Sequence, residues 1–500
     1  MTSFETDAAL YRSAGAPYSS ADRPMAMRGL HVYSVPQHSI FFPSQLTGVF
    51  TPPPVAYYSD QGEEHYWKKI PRWQDAGVDQ FLSHKWQMGN TVQGAAALVD
   101  FLSSVLPATI PPQRDMESRL RITDIHTREE FIERVKAGIK KAPMAIRLSP
   151  HIPSVVDWSD PLNDPIRRQF IPVSSPLNID HPMAVLDPMH EDKYSPVDGL
   201  IHRYPDRALF FATSVCPVYC RFCFRSYTVG TETESVKKKR FIPHPKKWAP
   251  RFEYIEKTPS LRDIVVSGGD TYLLEPELLQ YIGDRLLNIP HIRRFRFASK
   301  GLGVSPSRLI DPNDGWTDTV IALDRRARQA GKHICIHTHI NHPNEITWVT
   351  RRGAQRLYEA GVTVRNQSVL LNGVNNELET MTALVHALGD INIQPYYVYQ
   401  GDIVPGAEDL HTPLSHGLHL ERHIRGRIAG FYVPNFILDL PAEGGKRLIR
   451  SVESYDQRLG LATFSAPGLM GEPTEMQYWD PLWSLEQDAR EEVLERCKRK

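Results

Sequence analysis

Six apolar or β-branched runs recur through the second half of this chain, at 208–215, 263–268, 292–299, 333–340, 362–371 and 391–399. Each is long enough for a strand and far too short for a membrane span, which needs about 20 apolar residues. Between them lie stretches with apolar residues at helical spacing, at 276–289, 317–330, 345–360 and 377–388. A helix between two strands returns the chain to the end where the first strand began, so the strands pair in parallel. The pattern predicts right-handed βαβ units. Six of them predict an α/β fold, an incomplete (β/α)6 barrel that binds ligands at the carboxyl ends of its strands. An open doubly wound sheet gives the same periodicity.

The rest of the chain is arranged around that barrel, which is expected to span 196–425. Residues 1–110 form an N-terminal extension. Its first 55 residues are rich in Ser, Pro and Ala without period and are expected to be partly disordered. Helices follow, with Trp67, Trp73, Phe81 and Trp86 supplying large apolar surfaces. Residues 111–195 read as a helical accessory region and a proline-rich irregular connection. Thr127 and Glu130 make a capping box there, ahead of Phe131, Ile132, Val135 and Ile139. Residues 426–500 form a C-terminal segment.

Composition narrows the class. Lys plus Arg and Asp plus Glu are both 58, and that balance argues against a general nucleic-acid binder. The opening MTSFETDAAL lacks a basic stretch followed by an apolar core, so the expected location is the cytoplasm, with no membrane partner. Five cysteines in 500 residues make no disulfide framework.

Three of those cysteines, Cys216, Cys220 and Cys223, stand together in CPVYCRFC, directly after the first barrel strand. Three thiolates on one short loop can wrap a small centre. A closed structural zinc site asks for four protein ligands. A [4Fe–4S] cluster held by three cysteines keeps one iron open for chemistry. Cys335 and Cys497 are remote in sequence; Cys335 with His337 and His339 on one strand is a weak alternative metal site. With Phe222 before its last cysteine, CxxxCxxC resembles the radical S-adenosylmethionine (SAM) superfamily. The resemblance implies that SAM sits on the open iron, and that one electron from the cluster cleaves it to methionine and a 5′-deoxyadenosyl radical. It also implies that Ser267, Gly268, Gly269 and Asp270, which end the second strand, receive the amino group of SAM.

From about residue 190 to about 450 the resemblance narrows. HRYPDR (202–207), THINHPNEIT (338–347), NQSVLLNGVN (366–375), QPYYVYQGD (394–402) and LDLPAEGGK (438–446) are similar to segments of lysine 2,3-aminomutases. That family implies a second cofactor, pyridoxal 5′-phosphate (PLP), carried by Lys446, with Arg203, Tyr204 and Arg207 near its phosphate. His339 and Gln367 join the cofactor-binding residues. Arg225 matches the residue that takes the substrate's α-carboxylate, and Asp402 and Asp439 match the pair that takes a distal ammonium. Two buried carboxylates are costly without a cation, so keeping both implies a cationic amino acid.

The implied reaction converts L-lysine to β-lysine, which makes the chain an isomerase with a small-molecule substrate. Arginine, or a lysyl group on a protein, would satisfy the same carboxylates. An external electron donor, such as a reductase, flavodoxin or ferredoxin, and a homo-oligomer are expected partners. An iron–sulfur carrier or sensor would explain the cysteines but leave Lys446, Asp402 and Asp439 idle. Three departures stand out. The family's C-terminal zinc cysteines are absent and Glu377 holds the position of their remote partner, so no structural zinc is expected. KGLGVSPSRL (300–309) differs from the family's usual stretch, and Pro-Ala-Glu begins the PLP-lysine turn.

Overall fold

A computed structural model describes residues 65–114, 119–441, 444–466 and 474–498. The reading of the first 55 residues as partly disordered lies outside the described residues. All six expected strands form, and they pair in parallel in chain order. The sheet comprises β1 (Leu200–Tyr204), β2 (Arg207–Thr213), β3 (Asp263–Gly268), β4 (Arg294–Ala298), β5 (His333–Thr338), β6 (Thr363–Val369), β7 (Gln394–Tyr399), β8 (Asn435–Leu440) and β9 (Gly445–Leu448). β2 through β8 are parallel, and antiparallel β1 and β9 close the two edges. The edges share no ladder, which makes this a curled half-barrel.

The sheet therefore runs past residue 425, where the barrel was expected to end. Asn435, Phe436 and Ile437 pair with Tyr397, Val398 and Tyr399. NFILDL is six residues between two prolines, too short to stand out by periodicity, yet Phe436, Ile437, Leu438 and Leu440 are all buried. The four expected helices form at Pro276–Asn288, Trp316–Gln329, Trp348–Glu359 and Leu378–Asp390. Pro245–Glu256 and Leu414–Ile424 add two more crossovers. Phe210, Ile264, Phe295 and Ile334 of the sheet pack against Trp248, Leu279, Trp316 and Leu323 of the helices, all inaccessible to solvent. Burial of that kind contributes roughly 1.5–3 kcal/mol per large side chain.

A second core belongs to the helices before the barrel. Trp67 stacks on Phe81 at 4.1 Å, and the Thr127–Glu130 capping box is formed. Val218, inside the cysteine loop, is part of this core. The accessory region thus grips the loop from behind: Tyr219 N donates to Arg147 O (3.1 Å) and Arg221 N to Gln169 O (3.0 Å). On the other side, a three-stranded sheet (454–456, 461–466 and 474–479) reaches the end of β7, where Tyr478 OH donates to Gly401 O at 2.9 Å. No helix among the described residues is long and apolar enough to cross a membrane.

Candidate active site

Four strand ends carry expected site residues: the cysteines follow β2, Gly269 and Asp270 follow β3, His339 follows β5 and Asp402 follows β7. Lys300, which the sequence did not single out, follows β4. The glycines let the first two ends touch. Gly268 sits at φ +101°, and a Cβ there would meet the Phe211 ring and Thr213 O at 2.5 Å. A Cβ on Gly269 would come within 2.6 Å of the Val215 backbone. Asp270 then binds three ends together. Its N donates to Val215 O (2.9 Å), one carboxylate oxygen accepts from Tyr272 N (2.8 Å) and the other from Lys300 N (2.8 Å). Its carboxylate thus faces backbone amides, and burial pushes it up to about 6.

The three cysteines are free thiols and partly buried. Burial raises all three, Cys220 to about 12; the charge of Cys223 raises Cys216 and Cys220 further, and that of Glu191 raises Cys223. Arg147, Lys300, Arg225 and Lys238 oppose this from around the loop. Three thiolates so placed need a strongly cationic centre among them. Among the described residues no three His, Cys, Asp or Glu side chains converge on a single metal ion. An iron–sulfur cube, with ligands at separate corners, suits the loop better than one ion. His337 lies against Tyr396 (5.7 Å between centroids), whereas His339 lies against Phe222 (5.8 Å). β5 ends at Thr338, so His339 no longer shares the strand alternation that would align it with His337 and Cys335. The His339 Nε2 is buried without a hydrogen-bond partner, a donor or acceptor free for a ligand beside the cysteine loop.

The second group of residues meets across the two edges of the sheet. β8 and β9 form a tight hairpin in which Asp439 is the register partner of Lys446, and Gly445 adopts φ +67°. Side chains opposite each other on such a pair lie on one face, and the Lys446 ammonium contacts Asp439 Oδ2. Arg203, from β1 on the far edge, donates to Asp439 Oδ1 (3.1 Å) and to Leu440 O (2.6 Å). Where a closed barrel would have a ladder, this molecule has an arginine. Burial alone would raise Asp439, but Lys446 and Arg203 outweigh it and hold it below the usual carboxylate range. Asp439 correspondingly raises Lys446 against the effect of burial. Asp402 feels the same cations at longer range; burial, then the charge of Asp439, pushes it up to about 7.

Aromatic groups complete this wall. Lys446 Nζ lies 5.1 Å from the centre of the Tyr399 ring, and Tyr399 OH donates to Gln367 Oε1 (2.9 Å). Arg207 stacks on Tyr204 at 3.8 Å. The Tyr204 hydroxyl is buried without a partner, which fits a phosphate acceptor close by.

Arg225 is held by a residue that the sequence did not single out. Its Nε and Nη2 donate to Glu191 (2.9 Å and 2.7 Å), and Tyr227 OH donates to the same carboxylate (2.6 Å). This side-on pairing leaves the Nη1 edge of the guanidinium for another carboxylate. Glu191 opens a short 3-10 turn after His190, whose φ is +50°; nothing in the spacing of HEDKY announces it. Lys300 and Glu345 were missed likewise. Lys300 Nζ donates to Glu345 Oε2 (3.0 Å) and to His339 O (2.6 Å), placing the 300–309 departure directly beside the His339 backbone.

No protein-family model matches the chain. Individual proteins do. The L-lysine 2,3-aminomutase of Clostridium subterminale is 40 % identical over 320 residues, 64 % of this chain and 71 % of that enzyme. That of Acetoanaerobium sticklandii is 36 % identical over 379 residues, covering 74 % and 80 %. A glutamate 2,3-aminomutase from Clostridioides difficile is 33 % identical over 331 residues, covering 65 % and 74 %. Among solved structures, a radical SAM methyltransferase from Sphaerobacter thermophilus reaches a TM-score of only 0.30 at 16 % identity, over 48 % of this chain and 68 % of that one, too slight to build on. With relatives this similar over most of their length, and with cysteine loop and lysine hairpin on one half-barrel, the chain belongs to the radical SAM lysine 2,3-aminomutase family, isomerases that use a [4Fe–4S] cluster, SAM and pyridoxal phosphate.

Proposed function

We propose that this enzyme moves the α-amino group of L-lysine to the β-carbon, giving β-lysine, and that its Lys446 carries the pyridoxal phosphate. The observation that carries the reading is the meeting of Asp402 and Asp439 with Lys446 and Arg203. When bound, the cluster and SAM supply a carbon-centred radical, and pyridoxal phosphate gives the migrating nitrogen a π bond to cross on. The chain's own residues hold and aim. Cys216, Cys220 and Cys223 hold the cluster, with Ser267, Gly268, Gly269, Asp270, His339 and Gln367 around SAM. Arg203, Tyr204 and Arg207 face the phosphate, where a charged fork suits its oxygens.

With Lys446 holding the cofactor, one oxygen of Asp439 would be open, and the distal ammonium of incoming lysine would take the place that Lys446 Nζ now holds. The Lys446 amine, given up when the substrate's α-amino group replaces it on the cofactor, would lie clear of that oxygen. Asp402 supplies the second carboxylate, and Arg225 presents its open edge to the α-carboxylate. With both ends fixed, the reacting carbon is held at short range to the radical, which is where most of the rate advantage of positioning arises. The two carboxylates support a cationic substrate and disfavour glutamate, whose own distal carboxylate would meet like charge.

The test is anaerobic incubation of the reconstituted protein with SAM, dithionite and L-lysine labelled with ¹⁵N at the α-position. The expected product carries the label on the β-carbon by NMR. Release of 5′-deoxyadenosine without any labelled β-isomer would refute the aminomutase reading for lysine.

A further inference from the structure

The segment 228–247 carries six lysines and arginines against two glutamates, in a chain whose charges balance as a whole. Such a run is often no more than a solvated face. This one is pinned to the cysteine loop. Ser214, two residues before Cys216, donates its N–H to Phe241 O (3.1 Å) and accepts from Phe241 N at its Oγ (2.8 Å). Thr228 Oγ1 donates to Lys239 O (2.7 Å). Buried Lys238 donates to Val229 O (2.7 Å), with Cys216 and Cys223 within reach of its charge. Its neighbours Lys237, Lys239 and Arg240 point outward, as do Lys246 and Lys247.

Flanking the Ser214–Phe241 pairing are two apolar side chains left in solvent, Val215 at 40 % and Ile242 at 63 % exposure. Among the basic groups Lys239 has an ion pair, with the exposed Asp198 (2.6 Å), and Glu232 and Glu234 lie on the preceding turn. Two exposed apolar side chains bordered in sequence by exposed basic ones, tied through Ser214 and Phe241 to the start of the cysteine loop, suit a transient electron-transfer contact better than a permanent interface.

We propose that the face built from Val215, Lys237, Arg240, Ile242 and Lys246 docks a small acidic one-electron carrier protein, which reduces the cluster. This rests on the reading of Cys216, Cys220 and Cys223 as cluster ligands. In the step itself no atom is transferred. The reduced carrier loses one electron and the cluster gains it, passing from the 2+ to the 1+ state. Opposite charge steers the encounter, and the apolar centre lets the partner approach the loop without ordering a large surface.

Reduced flavodoxin is the probe, with dithionite as a small-molecule comparison. Lys237→Glu/Arg240→Glu/Lys246→Glu holoprotein should be reduced by flavodoxin about 10–100-fold more slowly than wild type, read as cluster bleaching in stopped flow. Dithionite-driven formation of 5′-deoxyadenosine should be unchanged. Raising the salt concentration should slow the wild type and, by screening the repulsion between the charge-reversed face and the acidic carrier, speed the variant, so that the two rates converge. Ile242→Ser, which keeps every charge, should weaken the binding of oxidised flavodoxin without altering the salt slope. Equal flavodoxin rates in wild type and triple variant, with dithionite cleavage intact, would overturn the docking face alone. A wild-type protein with no reducible cluster would overturn it together with the functional reading.

Discussion

The cysteine loop and the lysine hairpin solve the burial of charge in opposite ways. In the loop burial raises all three thiols, the charge of Cys223 adds to this at Cys216 and Cys220, and the cations around them compensate only in part. At the hairpin the charge of Asp439 is answered by Lys446 and Arg203, as that of Arg225 is answered by Glu191 elsewhere in the site. Asp402 is the exception, a carboxyl held near neutrality with no ion partner close enough to ionise it fully. The loop is therefore built to be completed by a cationic centre. The hairpin is charge-balanced as it stands, and under the proposed reading Lys446 would give up Asp439 to take its cofactor.

The sharpest way to break this contrast is at the loop. Any one of Cys216→Ala, Cys220→Ala or Cys223→Ala should abolish the cluster, because no fourth thiolate stands near to replace the lost one. Iron content and SAM cleavage both fall to background. A variant with full iron would remove the loop from the account. At the hairpin, Lys446→Ala should lose covalent pyridoxal phosphate but keep the iron. Borohydride reduction and peptide mapping should find the phosphopyridoxyl group on Lys446 in the wild type, and on no lysine in the variant.

Smaller effects sharpen the comparison. Asp402→Asn or Asp439→Asn should cost on the order of 2–3 kcal/mol of lysine recognition, about 30- to 150-fold in kcat/KM, with the iron–sulfur cluster intact. The two should differ in pH dependence. Asp402 is protonated below about 7, so it holds no cation there and gains the ability as pH rises. The kcat/KM for lysine should therefore climb with pH through that region, and Asp402→Asn should flatten the climb. Asp439, held ionised by its cations, contributes no titration in this range. Glu191→Gln removes one of the two anchors of the Arg225 fork and should raise KM about 3–10-fold, roughly 1 kcal/mol, with kcat largely kept.

The same contrast explains what could be read from the sequence. The loop lies within eight residues, so its spacing alone discloses a three-thiolate centre, and the strands and helices of the half-barrel were visible in their periods. The hairpin residues become a site only through the fold. Arg203 and Asp439 are 236 positions apart and meet because the sheet curls until its edges approach. Resemblance to a family pointed to each of them, but no local pattern did. Glu191 and the Lys300–Glu345 pair escaped entirely, since each sits in an irregular turn where neither period nor motif marks a functional side chain. β8 escaped because two prolines cut its apolar run to six residues.

The most direct test of the self-compensated, cation-selecting hairpin is a competition of substrates. Equal concentrations of L-lysine, L-arginine and L-glutamate are offered to the reduced enzyme with SAM, and the β-isomers are counted. β-Lysine should be the dominant product, with no β-glutamate. A predominance of β-arginine would keep the two-carboxylate pocket and reassign its occupant. A predominance of β-glutamate would contradict the account, because Asp402 and Asp439 could not then be facing the distal end of the substrate.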